Sequence, residues 1–489
     1  MPIIIIKKIA IGAIVSMITM TGFCQSESRL LGNWEGKINA GTGIRVVFHF
    51  VKDSLGNLSA TMDSPDQGAK DIPCNNVKMQ GDSVFLQILS ANGNYSGLLT
   101  DSTIRGKWKQ GLFFKLDLKK VDKITGLKRP QNPQPPFPYK SEDIEYDNKE
   151  KTMHYGATIT IPPGKGPFPA VLLITGSGAQ NRDEEIMEHK PFAVLADYLS
   201  RRGVIVLRAD DRGVGKSTGD FGSSTTADFA IDAGNSLDYL TSRPEVDAKK
   251  IGLIGHSEGG MIAPVLAAKR KDIDFIILLA GPGEKISKLM EDQNAALYQS
   301  VGINEKAIHA FRPFFREMVA LINESKDSSV FSQKLEMTLD EWRKNTAPAY
   351  VLATTRVYND SSQKVFIESI TSTLYTPWFR YFLQFDPQVY LQQLHCKVLA
   401  LNGEKDLQVA SKSNLAAIKQ ALQKSQAKKY DIIEIPRLNH LFQTCKNCTV
   451  MEYGQLEETF SPVALTLLGN WIDKNVKTEK KPFHNKADQ

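Results

Sequence analysis

The stretch that most constrains this chain is Gly255-His256-Ser257-Glu258-Gly259. The apolar run Ile251-Gly252-Leu253-Ile254 leads into it, and the small-residue stretch Gly260-Met261-Ile262-Ala263-Pro264-Val265-Leu266-Ala267-Ala268 follows. That order predicts a buried strand, a tight turn and a helix, with a serine held at the turn in a strained backbone conformation. Only glycines two residues to either side let strand and helix pass without collision. The turn exposes the Ser257 hydroxyl. It also sets the Glu258 N–H at the helix N-terminus, where it can donate to a developing oxyanion.

A serine hydroxyl is a poor nucleophile near neutral pH, so it needs a neutral imidazole as base and a carboxylate to fix the tautomer of that imidazole. In folds built around such an elbow the order along the chain is Ser, acid, His. Residues 398–406 read as a buried strand ending in a Gly-containing turn with Asp406 at its tip; residues 432–440 read as the next strand, with His440 in the loop before the last helix. Glu404 is the alternative acid. Among the other histidines, His256 leads the wrong way from the elbow, His49 and His154 precede Ser257, and His395 opens a strand. A second oxyanion donor is expected in the loop Gly176-Ser177-Gly178-Ala179-Gln180-Asn181-Arg182-Asp183, with Ser177 N–H as the choice and Gly178 or Ala179 as alternatives. Gly215-Lys216-Ser217 matches the end of a phosphate loop, but the required first glycine falls on Asp210. A buried Asp and Arg network supporting the oxyanion loop is the expectation there.

The chain around these motifs has 489 residues, 42% of them hydrophobic and 23% charged, enough for two or three domains with a large core. The formal charge of +6 is small for this length and excludes a nucleic-acid footprint. Residues 1–24 carry Lys7-Lys8 and an apolar stretch from Ile9 to Phe23 that is short for a membrane span. They read as a secretory signal peptide cleaved before Gln25, which predicts a periplasmic or secreted protein with no membrane span after processing; a lipid anchor on Cys24 is the alternative, disfavoured by Phe23. Four cysteines then remain, and Cys445-Lys446-Asn447-Cys448 suits a local disulfide or two free thiols; half of a zinc site is disfavoured, because no second C-x-x-C exists.

Residues 25–122 alternate short apolar and polar runs between turn signals, as in Ile44-Arg45-Val46-Val47-Phe48-His49-Phe50 and Phe113-Phe114-Lys115-Leu116-Asp117-Leu118, which predicts an antiparallel sandwich or small barrel. Its opening Leu31-Gly32-Asn33-Trp34-Glu35-Gly36 and later Gly106-Lys107-Trp108 resemble a lipocalin-like β module. Five prolines in twelve residues, 128–139, mark a linker over 123–143. From 144 to 478 strands alternate with helices, predicting a mostly parallel sheet with helices on both faces. The alternation breaks over about 284–393, where aromatic-rich helical segments read as a cap; Trp378, Phe379 and Tyr381 are the candidates to line an apolar substrate pocket there. Residues 479–489 read as a flexible tail.

Four motifs together resemble the bacterial α/β-hydrolase carboxylesterases that carry a β module ahead of the catalytic domain. They are Thr175-Gly176-Ser177-Gly178 with Asn181-Arg182-Asp183, Asp210-Asp211-Arg212-Gly213-Val214-Gly215-Lys216-Ser217, Gly255-His256-Ser257-Glu258-Gly259-Gly260, and Leu438-Asn439-His440-Leu441-Phe442-Gln443. The resemblance covers most of residues 144–478. It implies Ser257, Asp406 and His440 as nucleophile, acid and base acting on a small-molecule carboxylic ester, with no cofactor and no metal. The competing expectations are a peptidase of the prolyl-oligopeptidase type, for which the roughly 100 residues before the linker are too few to build a propeller, and a ligand-binding protein with an inert hydrolase domain. Acyl and alcohol preference and oligomeric state stay open.

Overall fold

The computed structural model describes residues 27–40, 42–124 and 126–477. The signal-peptide, cleavage-site and tail readings fall on residues outside these. Among the described residues no helix is long and apolar enough to cross a membrane.

The chain divides into two compact units. In the first, eight strands form a closed antiparallel barrel: β1 (Gly32–Ala40), β2 (Thr42–Lys52), β3 (Leu58–Ser64), β4 (Ala69–Gln80), β5 (Ser83–Ile88), β6 (Gly93–Leu99), β7 (Thr103–Gln110) and β8 (Leu112–Val121). Each strand pairs with the next, and β1 pairs with β8 to close the ring, so no strand edge is left open. Side chains fill the interior. Trp34, Phe48, Phe50, Tyr95 and Trp108 are all buried there, consistent with the period-2 pattern that marked these strands in the sequence. β4 keeps this pattern only in pieces: Ile72, Cys74, Val77 and Met79 pack on the barrel core, but the alternation slips between Cys74 and Val77, where Asn76 has positive φ and the register with β5 shifts between Asn75 and Lys78. Residues 186–188 and 451–457 also belong to this unit, a grouping that no local pattern announces.

The second unit holds an eight-stranded sheet in the order β16-β15-β14-β13-β11-β12-β10-β9. Its strands are β9 (Lys140–Asp147), β10 (His154–Ile161), β11 (Phe168–Ile174), β12 (Ile205–Ala209), β13 (Val246–His256), β14 (Ile273–Leu279), β15 (Lys397–Gly403) and β16 (Lys429–Ile435). The pairs β9–β10 and β10–β12 are antiparallel and the rest parallel. β9 opens inside the stretch read as linker. It is an edge strand in which only Ile144 and Tyr146 are apolar, so composition hides it.

Alternate residues of the central strands feed two cores, one on each face. Ala170, Leu172 and Ile174 join one, and Val171 and Leu173 the other. Strands covered on both faces read as continuous apolar runs, as these do. Helices α1 (Pro191–Arg201), α2 (Thr226–Ser242), α3 (Gly259–Lys269), α11 (Ser411–Gln423) and α12 (Pro462–Asn475) supply the covering layers. Between β14 and β15 come α4 (Ile286–Ser300), α5 (Glu305–Glu324), α6 (Ser328–Lys344), α7 (Pro348–Thr355), α8 (Asp360–Leu374), α9 (Pro377–Gln384) and α10 (Gln388–Leu391). This insertion has a core of its own, in which Phe314 stacks on Trp342 with centroids 4.7 Å apart.

Candidate active site

Strand β13 is buried from Ile251 to His256 and delivers Ser257 at φ +52°, a left-handed conformation that a serine adopts at a cost on the order of 1–3 kcal/mol. Helix α3 starts two residues later with Glu258 as its N-cap, so the Glu258 N–H heads the helix. The flanking glycines are required by space. A Cβ on Gly255 would lie 2.0 Å from the Gly259 carbonyl oxygen, and one on Gly259 would lie 2.1 Å from that of Ile174. The turn is pinned from the neighbouring strand, because Ser257 N–H donates to Leu279 O at 2.9 Å.

Asp406 and His440 come from the turns after β15 and β16. His440 Nδ1 lies 2.8 Å from Asp406 Oδ2, and both residues are buried. The other carboxylate oxygen, Oδ1, accepts from the backbone N–H groups of Gln408 at 2.8 Å and Val409 at 2.9 Å. Those two donors fix the rotation of the carboxylate, which leaves Oδ2 to face the imidazole. Glu404, the alternative acid, is turned away: it accepts from Arg437 N–H at 3.1 Å and pairs with Lys405.

His256 links this pair to the elbow. Its Nε2 lies 3.0 Å from the backbone carbonyl oxygen of His440 and its Nδ1 lies 2.9 Å from Glu184 Oε1. A carbonyl only accepts, so Nε2 carries a proton in this contact, and Nδ1 faces the Glu184 carboxyl group. Burial by itself would depress the His256 pKa, but the Glu184 charge and hydrogen bond outweigh it and hold the ring above its ordinary value, toward imidazolium. The same Glu184 oxygen accepts from Gly176 N–H at 2.7 Å. One chain of contacts therefore runs from the loop after β11, through Glu184 and His256, to the backbone of His440. We expect His256→Ala to lower kcat on the order of 10²-fold by letting the His440 loop shift. The pH profile should keep its shape, and His256→Gln should restore part of the rate; full activity in His256→Ala would show that the contact positions nothing.

Ser177 sits in that loop and is exposed. Gly176 approaches the nucleophile closely, since a Cβ added there would lie 3.2 Å from Ser257 Cβ. Gly176 N–H is spent on Glu184, which leaves donors further along the loop to face a substrate. Asp211 anchors the loop by accepting from Thr175 Oγ1 at 2.7 Å and Gln180 N–H at 2.9 Å. Arg182 is held by Asp210, with Nη2 to Oδ2 at 2.6 Å, and Arg208 pairs with Asp183. The motif rejected as a phosphate loop thus contributes Asp210 and Asp211 to loop support, and a Cβ on Gly215 would collide with Asp210 Oδ2 at 2.4 Å.

A small cavity of about 50 Å³ has a mixed lining, with Thr175, Gly176, Asp211 and Glu258 beside Leu172, Phe229 and Ile262. Burial pushes Asp211 up to about 7, only partly offset by its hydrogen bonds to Gln180 and Thr175. It raises Glu258 as well, against the Thr226 and Trp378 donors.

Of the three cap aromatics, Trp378 reaches furthest toward the elbow. Its Nε1–H donates to Glu258 Oε1 at 2.9 Å, and the same oxygen accepts from Thr226 Oγ1 at 2.6 Å. The Trp378 ring stacks on Phe382 with centroids 4.8 Å apart. Tyr381 packs beside it on the central core, whereas Phe379 packs on the insertion's own core; all three are half-buried. Sequence reading passes over Glu184, dismisses His256 and treats Glu258 only as a backbone donor, because what those side chains do depends on partners 72 and 120 residues away. Cys445 and Cys448 form a disulfide, so neither sulfur is free to hold a metal.

A protein-family model described as serine aminopeptidase, S33 (Hydrolase_4), matches residues 187–345. Esterase EstD of Thermotoga maritima is 33% identical over 194 residues, covering 40% of this chain and 43% of that protein. Acyl-coenzyme A thioesterase 3 of Mus musculus is 26% identical over 176 residues, covering 34% of this chain and 35% of that protein. Human mitochondrial acyl-coenzyme A thioesterase 2 is 25% identical over 168 residues, covering 34% and 31%. The chain spans less than half the length of these curated relatives. With the sheet order, the serine elbow after the fifth strand of its sheet in chain order, and these similarities together, the second unit has an α/β-hydrolase fold, preceded in the chain by a closed antiparallel β-barrel.

Proposed function

We propose that the chain is a serine ester hydrolase working through Ser257, His440 and Asp406. The observation that carries this reading is the strained Ser257 elbow, held through His256 to the backbone of a histidine whose Nδ1 is already locked onto a buried carboxylate. With Asp406 accepting from Nδ1, the neutral His440 ring presents an unprotonated Nε2 as base. Ser257 Oγ attacks the ester carbonyl carbon as its proton passes to His440. The carbonyl oxygen becomes an oxyanion, received by the N–H groups of Glu258 and Ser177. Collapse breaks the bond to the alcohol oxygen, which leaves with the proton from His440, and an acyl-Ser257 ester remains. Water then repeats the sequence, giving up a proton to His440 and releasing the carboxylic acid and Ser257. Trp378 and Tyr381, half-buried on the cap beside the central core, are the residues we assign to the acyl or alcohol pocket, with Phe379 behind them.

A peptidase reading draws on the serine aminopeptidase description of the matching family model. Amide cleavage demands more protonation of the leaving group than ester cleavage, so a generic triad favours esters. Comparing kcat/KM on nitrophenyl acetate and butyrate, an acyl thioester and a panel of aminoacyl anilides decides between them. The expected result is turnover of the oxygen esters far above that of any anilide, with activated short acyl groups preferred; a clear preference for an anilide would give the assignment to the peptidase.

We also propose export, on the strength of Lys7-Lys8 followed by the apolar run 9–23, and of a Cys445–Cys448 disulfide that suits an oxidising compartment. N-terminal sequencing of the processed protein should begin at Gln25; a diacylglycerol-modified Cys24 would replace a free secreted protein by an anchored one.

A further inference from the structure

The outer face of the barrel between β5 and β8 combines a row of cations with exposed apolar side chains. Reading across the ladder, Phe85 stands opposite Ser96, Ser96 opposite Lys107, and Lys107 opposite Lys115. One step toward the hairpin end, Lys109 stands opposite Phe113, with its ammonium 5.3 Å from the ring centroid. One step the other way, Arg105 faces Asp117, which is also paired with Lys115 at 2.9 Å. Lys107 and Lys115 are like charges directly opposite each other on one face, an arrangement that destabilises the free barrel. Cations exceed carboxylates across this register.

The same region ends in exposed hydrocarbon. Leu112 and Phe113, at the β7–β8 turn, are 71% and 68% exposed. The β5–β6 turn lies beside it, tied by Gln110 Nε2 donating to Ala91 O at 2.8 Å, and adds Leu89 at 68%. Single exposed apolar residues need no explanation, but three large ones at the adjoining tips of two hairpins, flanked by lysines, make a contiguous apolar point inside a cationic collar.

We propose that this end of the barrel docks on an anionic lipid surface, with Leu89, Leu112 and Phe113 entering the interface and Arg105, Lys107, Lys109 and Lys115 meeting the headgroups. Hydrocarbon insertion and attraction to anionic lipid are the two contributions that together hold peripheral proteins at a bilayer; the hairpin tips supply the first and the outward face of the ladder the second. A soluble polyanion would engage the lysines but leave Leu89 and Leu112 without a use, which favours the lipid surface over a polysaccharide or nucleic acid. The inference is independent of the ester-hydrolase reading.

Co-sedimentation of the processed full chain with phosphatidylglycerol vesicles, and separately with phosphatidylcholine vesicles, over a range of salt concentration tests it. Binding to the phosphatidylglycerol vesicles is expected, falling as salt rises, with far less on phosphatidylcholine. The double variant Leu112→Ser, Phe113→Ser and the double variant Lys107→Glu, Lys109→Glu should each lower partitioning by about tenfold or more. Their circular dichroism should match the unaltered chain, since all four positions are exposed. Absence of binding to phosphatidylglycerol overturns the proposal. So does binding that the serine variant leaves intact, which would mark a purely electrostatic polyanion contact, and so does sedimentation showing self-association through this face in place of vesicle capture.

Discussion

Ser257→Ala is expected to lower kcat on ester substrates by on the order of 10⁴ or more while the protein stays folded. Removing one hydroxyl would take away the atom that forms the acyl bond in the proposed mechanism and leave the proposed oxyanion donors of Glu258 and Ser177 in place, so only a small residual rate should remain. Stability should not fall with activity, because the substitution keeps a small side chain at φ +52° and the turn's own hydrogen bond from residue 257 N–H to Leu279 O is a backbone bond. Steady-state kinetics beside a thermal melt reads both. Turnover within tenfold of the unaltered enzyme would remove Ser257 from the mechanism.

Asp406→Asn should cost on the order of 10³–10⁴ in kcat, by a route the local geometry dictates. Gln408 and Val409 N–H groups both point at Oδ1, so an asparagine would place its carbonyl oxygen there and its NH₂ at the Oδ2 position, 2.8 Å from His440 Nδ1. An NH₂ group facing Nδ1 demands that Nδ1 be the unprotonated nitrogen. The proton then sits on Nε2, which can no longer take one from Ser257. The fold should survive, since Asn replaces Asp with nearly the same shape and keeps the two backbone bonds. Asp406→Ala is expected to be worse for stability, by roughly 1–3 kcal/mol, because it leaves those buried N–H groups and the imidazole N–H unpartnered. A near-normal rate for Asp406→Asn in the ester assay would mean that His440 is oriented by something other than this carboxylate.

How much of this could be read from the chain alone follows from the range of the interactions involved. The elbow is a local object: a buried strand, a turn and a helix within about twenty residues, with glycines where the backbones nearly touch, and it is legible for that reason. Asp406 follows a run of consecutive apolar residues that two covered sheet faces produce, whereas His440 follows the edge strand β16, in which Asp431 and Glu434 interrupt the apolar residues, so its place in the chain order is what points to the pair that the structure brings to 2.8 Å. β4 escaped because a bulge and the left-handed Asn76 shift the phase of its alternation midway, and β9 because an edge strand exposed on one side needs few apolar residues. The Glu184–His256 contact was out of reach for another reason. Nothing near residue 184 distinguishes one loop carboxylate from the others, and its partner is a histidine that adjacency to the nucleophile made look uninvolved. Trp378 shows the same limit in milder form, since aromatic clustering identifies a cap but not the indole N–H that ties it to Glu258.

The central claim, that Ser257 is an activated nucleophile, is tested most directly by incubating the enzyme with a fluorophosphonate, which phosphonylates only a serine whose hydroxyl is activated by a neighbouring base. Intact-mass spectrometry should show one adduct per chain, peptide mapping should place it on Ser257, and loss of ester turnover should track adduct formation. His440→Ala should abolish labelling while leaving the hydroxyl present. An unlabelled, fully active enzyme, or an adduct on any serine other than Ser257, would contradict the account.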